Sequence, residues 1–399
     1  MSSPVRILTV ANHLGARGGL ERTQLTNCGA LAARGHRVDV LYVSAGDFAD
    51  DWRAFAGSMV PMAGSLPRRQ RPLRSAAGVV AALAAGARLR PDVLYVYRYW
   101  DLPLAVAIGT LVGAPVVFHL CLPPPTAVPV WLRAALGRVA WTLSVSRDTA
   151  ERWAGTGLHP DRLSVALTGI DLHRYRPADA PARTATRRRL GVPADAFVVL
   201  YAGRIGREKG VHVLVRAVPA MAAAVPELHV VVAGSPSLGA DPEDSARYEA
   251  ELHAAGAGQP VSWIPAQRDV VPLLQAADVA VAPSLWPEPL SRSVMEPLAC
   301  GVPVVATRVG GNPEILTGEL SSYLVEPDDA PALARRVVAL RGWRRAQPGL
   351  EGALRHHAED HLSLEDETAQ VEDALRAACD RRRARRRRSA SAADAGSCG

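Results

Sequence analysis

Residues 278–314 read DVAVAPSLWPEPLSRSVMEPLACGVPVVATRVGGNPE, and the order of events along this stretch decides the fold. Asp278 to Ala282 is a short apolar run with β-branched residues that stops at Pro283 and Ser284, the pattern of a strand buried in a parallel sheet. A loop, SLWPEPLS, follows. Ser291 is placed to cap a helix that runs to Cys300, Gly301 supplies the residue after its end, and Pro303 to Thr307 is the next strand. Pro297 lies inside that helix, where its missing N–H predicts a kink. Open sheets built from such units bind ligands at the carboxyl ends of their strands, which is where Glu288 falls. Glu296 comes early in the helix, positioned to point back toward the same place.

Two acids eight positions apart, one on the loop and one on the helix, suit a ligand with two sets of vicinal hydroxyls. Each carboxylate oxygen accepts one hydroxyl, and the free amides at the helix start favour negative charge such as phosphate. Hydroxyls, phosphate, hydroxyls is the outline of a nucleotide sugar. Taken as an isolated pair, the same residues also read as a surface acid that complements a helix dipole and an ordinary helix residue.

Outward from this stretch, FVVLYAGRIGREKGVHVLVRAV has a strand over Phe197 to Ala202, a turn through Gly203 to Gly210 and a helix from Val211. Arg204 and Lys209 therefore project from a loop at a strand's carboxyl end. A planar fork beside a compact charge suits a diphosphate that gains charge as it leaves, although both residues are also natural salt-bridge partners of Glu208. LHVVVAG (Leu228–Gly234) and PVSWIPA (Pro260–Ala266) supply further strands. Near the start of the chain, Val5 to Val10 is a strand, NHLGARGG a glycine-rich loop, and Leu20 to about Arg34 a helix; Gly15, Gly18 and Gly19 let amides approach a phosphate or a sugar. The spacing is not G-x-G-x-x-G and the strand Val38–Val43 ends in Ser44, not in an acid, which argues against a dinucleotide-binding dehydrogenase. Asp92 to Tyr97 is another strand, and Tyr95, Tyr97, Arg98, Tyr99 and Trp100 form either an acceptor wall or ordinary packing. Val116 to Phe118 leads to His119, which reads either as a core histidine with one satisfied hydrogen bond or as a functional residue at a strand end.

The segments E-P-L-S-R-S-V-M-E, A-C-G-V-P-V-V-A-T and G-G-N-P-E together resemble the retaining glycosyltransferases of family 4. So do G-R-x-x-x-x-K-G at 203–210 and TGIDLHRYRP at 168–177. Ser291 and Pro265 stand where that family usually has glycine, and Thr168 where asparagine is common. The resemblance spans residues 5–378 and implies an α/β protein of GT-B architecture, two Rossmann-like doubly wound parallel-sheet domains facing a central cleft. It implies that Arg204 and Lys209 neutralise the donor diphosphate, that Glu296 takes the ribose hydroxyls, and that Glu288 takes those of the transferred sugar. Gly18 and Gly19 would lie beside the phosphates, Ile264 beside the base, and Leu290 and Ser291 against the donor. His119 would sit near the anomeric centre, with Arg98 and Tyr99 toward the acceptor. The implied reaction moves a sugar with retention from a UDP- or GDP-sugar to an alcohol on a small molecule, a glycan or a lipid-linked acceptor, without a cofactor or a metal. The rivals are a GT-B epimerase or phosphorylase and, from another class, a non-catalytic nucleotide-sugar-binding protein.

Length and composition bound these readings. A chain of 399 residues with 48% apolar content is long enough for two cores, and five widely spaced cysteines suggest a reducing compartment. MSSPVRILTV opens as a strand, not as a signal peptide, and the apolar stretch Leu102 to Phe118 is broken by Pro and Gly into a helix and a strand, so a cytoplasmic protein is expected. The net charge of +7 is concentrated in seven arginines between Arg381 and Arg388. That tail and the basic residues at 68–74 are either solvated or meet acidic lipid at the inner face of the membrane, and nucleic acid ranks last because no aromatic residues are interleaved. The expected domains are 1–177, a linker at 178–195, 196–361, a closing helix at 362–380 that packs back on the first domain, and a disordered tail at 381–399.

Overall fold

The computed structural model describes residues 3–396 apart from 16–17, 66–71 and 237–240. Most of the basic segment 68–74, and the side chains of Arg385 to Arg388, thus lie outside the described residues. The chain divides into two units, Met1–Leu167 with Glu365–Gly399, and Thr168–Leu364.

In the first unit, β1 (Arg6–Leu14), β2 (Arg37–Ala45), β3 (Ser58–Pro61), β4 (Val93–Val96), β5 (Val116–Leu120), β6 (Trp141–Ser144) and β7 (Leu163–Val165) form one parallel sheet in the order β3-β2-β1-β4-β5-β6-β7. Side chains alternate between its faces. Ile7, Val93, Tyr95, Tyr97 and Val117 enter one apolar cluster with Cys28 and Leu31 of the helix Gly19–Ala33 and with Val371 and Leu375 of the closing helix; Leu8, Val10, Leu94, Val96 and Phe118 enter the other, with Ile108 of the helix Leu102–Val112. Burial on both faces is why these strands read as unbroken apolar runs. The closing helix is integral to this unit, since Glu367 is 1% exposed and accepts a 2.8 Å bond from Asn27 Nδ2.

The second unit holds β8 (Phe197–Ala202), β9 (Leu228–Ala233), β10 (Val261–Ile264), β11 (Val279–Ala282), β12 (Val304–Thr307) and β13 (Leu324–Val325), parallel in the order β10-β9-β8-β11-β12-β13. Winding reverses between β8 and β11. Their register pairs Val199 with Val279 and Leu200 with Ala280, so Ala202 and Ala282 end at one level and the loops after them emerge side by side. The unit's own first and last residues also meet: Ile170 N donates to Leu362 O at 2.8 Å and Leu364 N to Ile170 O at 3.2 Å, and Gly169 lies so close that a Cβ there would fall 2.5 Å from Leu364 N.

Two segments differ from the sequence reading. The stretch 178–195 expected as a linker contains the helix Ala180–Arg189, capped by Asp179 and docked by buried Arg187 on Ala276 O, Ala196 O and Asp278 Oδ2 at 2.8–3.0 Å. Its polar composition hid one ion pair that fixes it. The tail expected to be disordered from 381 continues the closing helix, which spans Leu364–Gly396. Alanine and arginine are strong helix formers, and extending a helix already nucleated by packing is easier than starting one. Among the described residues no helix is long and apolar enough to cross a membrane.

Candidate active site

The turn after β8 and the loop after β11 are joined at the point where the second sheet's winding reverses, the place where open parallel sheets take ligands. Leu285 N donates to Glu208 O at 2.8 Å. Gly210, at φ +67°, lies against Pro283, and a Cβ there would run into the Pro283 carbonyl. Tyr201 Oη donates to Arg204 O and holds the other end of the turn; burial, and then the charge of Glu288, push this phenol well above its ordinary pKa, so it remains a donor.

Lys209 Nζ meets Glu288 Oε1 directly and lies 5.3 Å above the Trp286 ring. The same carboxylate oxygen accepts Ser284 Oγ at 2.7 Å, Ser284 O accepts Thr307 Oγ1 at 2.6 Å, and Thr307 O accepts Asn312 Nδ2 at 3.0 Å. The Gly-Gly turn closes this frame from behind: Gly311 N donates to Glu288 O at 2.8 Å, and Gly310, at φ +53°, sits where a Cβ would be 2.6 Å from Glu288 N and closer still to its carbonyl oxygen. Arg204 is part-exposed, its guanidinium 3.9 Å from Glu208, so the alternative salt-bridge partner is also present.

Glu296 is 8% exposed on the helix Arg292–Ala299 and accepts Arg292 Nε at 2.9 Å and Tyr175 Oη at 3.1 Å. Ser291 occupies the cap position expected of it but caps nothing with its side chain; its hydroxyl bonds Ser293 Oγ at 2.8 Å, because a serine two residues on competes with the amides. Leu290 is half-buried against the apolar cluster, and Ile264 ends β10, its carbonyl accepting Gly234 N at 3.0 Å. Arg204, Lys209, Glu288, Leu290, Ser291 and Glu296 are thus carried by two joined loops and the helix that follows one of them.

The remaining candidates belong to the first unit. Gly18 is extended ahead of the helix that Gly19 opens, and a Cβ there would meet Glu21 Oε2 at 3.4 Å, so the protein itself leaves room at this position. His119 shares the sheet face of Val117. It is 0% exposed, its Nδ1 bonds Tyr95 Oη at 2.6 Å, its Nε2 is buried without a partner, and burial lowers its pKa to about 3. This is the geometry of a core histidine with one satisfied hydrogen bond. Arg98, 4% exposed, is committed to Asp101 Oδ2 at 2.7 and 2.8 Å, and Tyr99 packs edge-on to Trp100, which is the packing alternative for that cluster. Sequence reading missed Ser284, Thr307, Tyr175 and Arg292. Of these, only Arg292 carried a signal, its spacing of four from Glu296.

Comparison with known proteins identifies the family and the fold. A family model described as Glycosyltransferase Family 4 matches residues 17–174, and one described as Glycosyl transferases group 1 matches residues 182–340. The D-inositol 3-phosphate glycosyltransferase of Saccharomonospora viridis is 40% identical over 212 residues, 50% of this chain and 47% of that protein. The protein of the same name from Acidothermus cellulolyticus is 29% identical over 401 aligned residues, 90% of this chain and 86% of its own. The matched stretch spans about half the length of the first of these curated relatives. Anabaena Alr3699/HepE, crystallised with UDP and glucose, superimposes with a TM-score of 0.79 at 21% identity, covering 93% of this chain and 99% of that one. A glycosyltransferase from Rickettsia africae gives 0.79 at 17% identity, covering 94% and 99%. Both units are parallel Rossmann-like sheets, as in those structures, and the chain belongs to glycosyltransferase family 4, with the GT-B fold.

Proposed function

We propose that the protein is a retaining, metal-independent glycosyltransferase that moves a sugar from a nucleoside diphosphate sugar to an alcohol. The observation that carries this reading is the meeting of Lys209 with Glu288 where the second sheet's winding reverses, with Arg204 on the same turn and Glu296 on the helix beyond. The relatives named as D-inositol 3-phosphate glycosyltransferases and the neighbour crystallised with UDP and glucose support it.

In this reading Arg204 and Lys209 oppose the negative charge that grows on the diphosphate, assisted by the first amides of the helix Arg292–Ala299, so the chain itself supplies the cations that a metal would otherwise bring. Glu288 accepts hydroxyls of the transferred sugar, and Glu296 those of the ribose. The bond from the anomeric carbon to the phosphate oxygen breaks as the bond to the acceptor oxygen forms on the same face. The acceptor's proton passes to the departing diphosphate. His119, neutral and enclosed, moves no proton.

The test is a panel of UDP- and GDP-sugars with alcohol acceptors, D-inositol 3-phosphate among them, monitored by release of nucleoside diphosphate with and without a chelator. Release with one nucleotide class, dependent on acceptor and unchanged by chelator, is expected. Tight donor binding with no product from any acceptor would overturn the reading in favour of a binding protein, and loss of activity on chelation would overturn its metal independence.

A further inference from the structure

Arg292 is held at two costs. It is a cation in the first turn of a helix, where the dipole disfavours positive charge, and its Nη1 is buried without a hydrogen-bond partner. Stability alone does not account for such a residue. Its Nε bonds Glu296 Oε1 at 2.9 Å, and Tyr175 Oη bonds the same oxygen at 3.1 Å. Both bonds fall on Oε1, so Oε2 keeps its lone pairs for another donor. Two bonds to one oxygen fix the plane in which the other oxygen lies.

We propose that Arg292, with Tyr175, is a positioning residue of the nucleotide site: it turns Glu296 so that Oε2 alone faces the ligand and accepts a ribose hydroxyl. The proposal rests on the donor reading above. It makes Glu296 a one-sided acceptor whose second oxygen is reserved for the protein, where the sequence alone suggested that both oxygens serve the ligand.

The test compares UDP and GDP with their 2′,3′-dideoxy analogues by calorimetry on the full chain, unaltered and as Arg292→Met. If Arg292 acts through the hydroxyl bond, the better-bound ribonucleotide weakens about tenfold while its dideoxy analogue changes less than about twofold. The donor's KM should rise in step with kcat nearly unchanged, because the contact is equal in ground and transition states. Equal losses for both nucleotides, or none for either, would overturn the proposal. Should Arg292→Met not fold, Tyr175→Phe removes the other bond to Oε1 and is judged by the same comparison. Failure of the unaltered protein to bind either nucleotide would instead overturn the donor reading, and the proposal with it.

Discussion

Gly310 and Gly318 make a matched pair for testing how Glu288 is held. Both have left-handed backbone, φ +53° and +56°, but nothing lies within 4 Å of a Cβ at Gly318, whereas at Gly310 the peptide of Glu288 is already in the way. Alanine at either site carries the left-handed penalty, about 1–2 kcal/mol. Gly310→Ala adds the weakening of the bond from Gly311 N to Glu288 O, about 1 kcal/mol, and the strain of an overpacked contact, about 1–3 kcal/mol. The sum is about 3–6 kcal/mol against about 1–2 for the control. Clearing the clash requires backbone to move by about 1 Å, and a displacement of that size at a reacting centre can cost about a hundredfold in rate. Urea denaturation followed by circular dichroism gives the first quantity, and nucleoside diphosphate release by the folded fraction gives the second. If the two variants lost equal stability and equal turnover, the turn would not be what places Glu288.

Lys209→Ala should lose far more kcat than donor affinity, since the charge it opposes develops in the transition state; matching losses in a calorimetry and turnover comparison would remove that role. His119 binds its proton at about pH 3 in the folded chain against an ordinary 6.5, so the unfolded state takes the proton first and stability falls as pH drops between those values. The slope is about 1.4 kcal/mol per pH unit, and His119→Leu should flatten that part of the acid denaturation profile; an unchanged slope would mean the imidazole is hydrated. Arg187→Ala should cost about 2–3 kcal/mol in the same denaturation assay, because it takes from Asp278 its partner at 2.8 Å and leaves Arg344 Nε, at 3.6 Å, to hold the carboxylate; a loss below about 1 kcal/mol would show that Arg344 or water replaces it.

The placement of the second unit's candidate residues was legible because its parts are local. A strand, a glycine turn and a helix place Arg204 and Lys209, and the same grammar places Glu288 and Glu296. What tied them together was not local. The Tyr175 bond to Glu296 joins residues 121 positions apart, and the frame from Asn312 through Thr307 to Ser284 appears only once β11 and β12 pair. His119 shows a different limit. Its place near a strand end was readable, but which face it takes depends on parity against Val117, and both faces of this sheet are buried. The segment 178–195 was misread because composition weighs charges singly, while Arg187 and Asp278 cancel across 91 positions.

The hydrogen bonds of Ile170 to Leu362 and Leu364 bring the two severable points of the second unit to within a peptide's width of each other. A stretch with such neighbouring ends behaves as a cassette: cut out, it needs no long tether to bridge them, and another unit with the same end spacing can be spliced in its place. The first unit offers no such freedom. Glu367, Val371 and Leu375 come from beyond the splice, so a chain truncated after Leu364 would surrender part of that unit's interior.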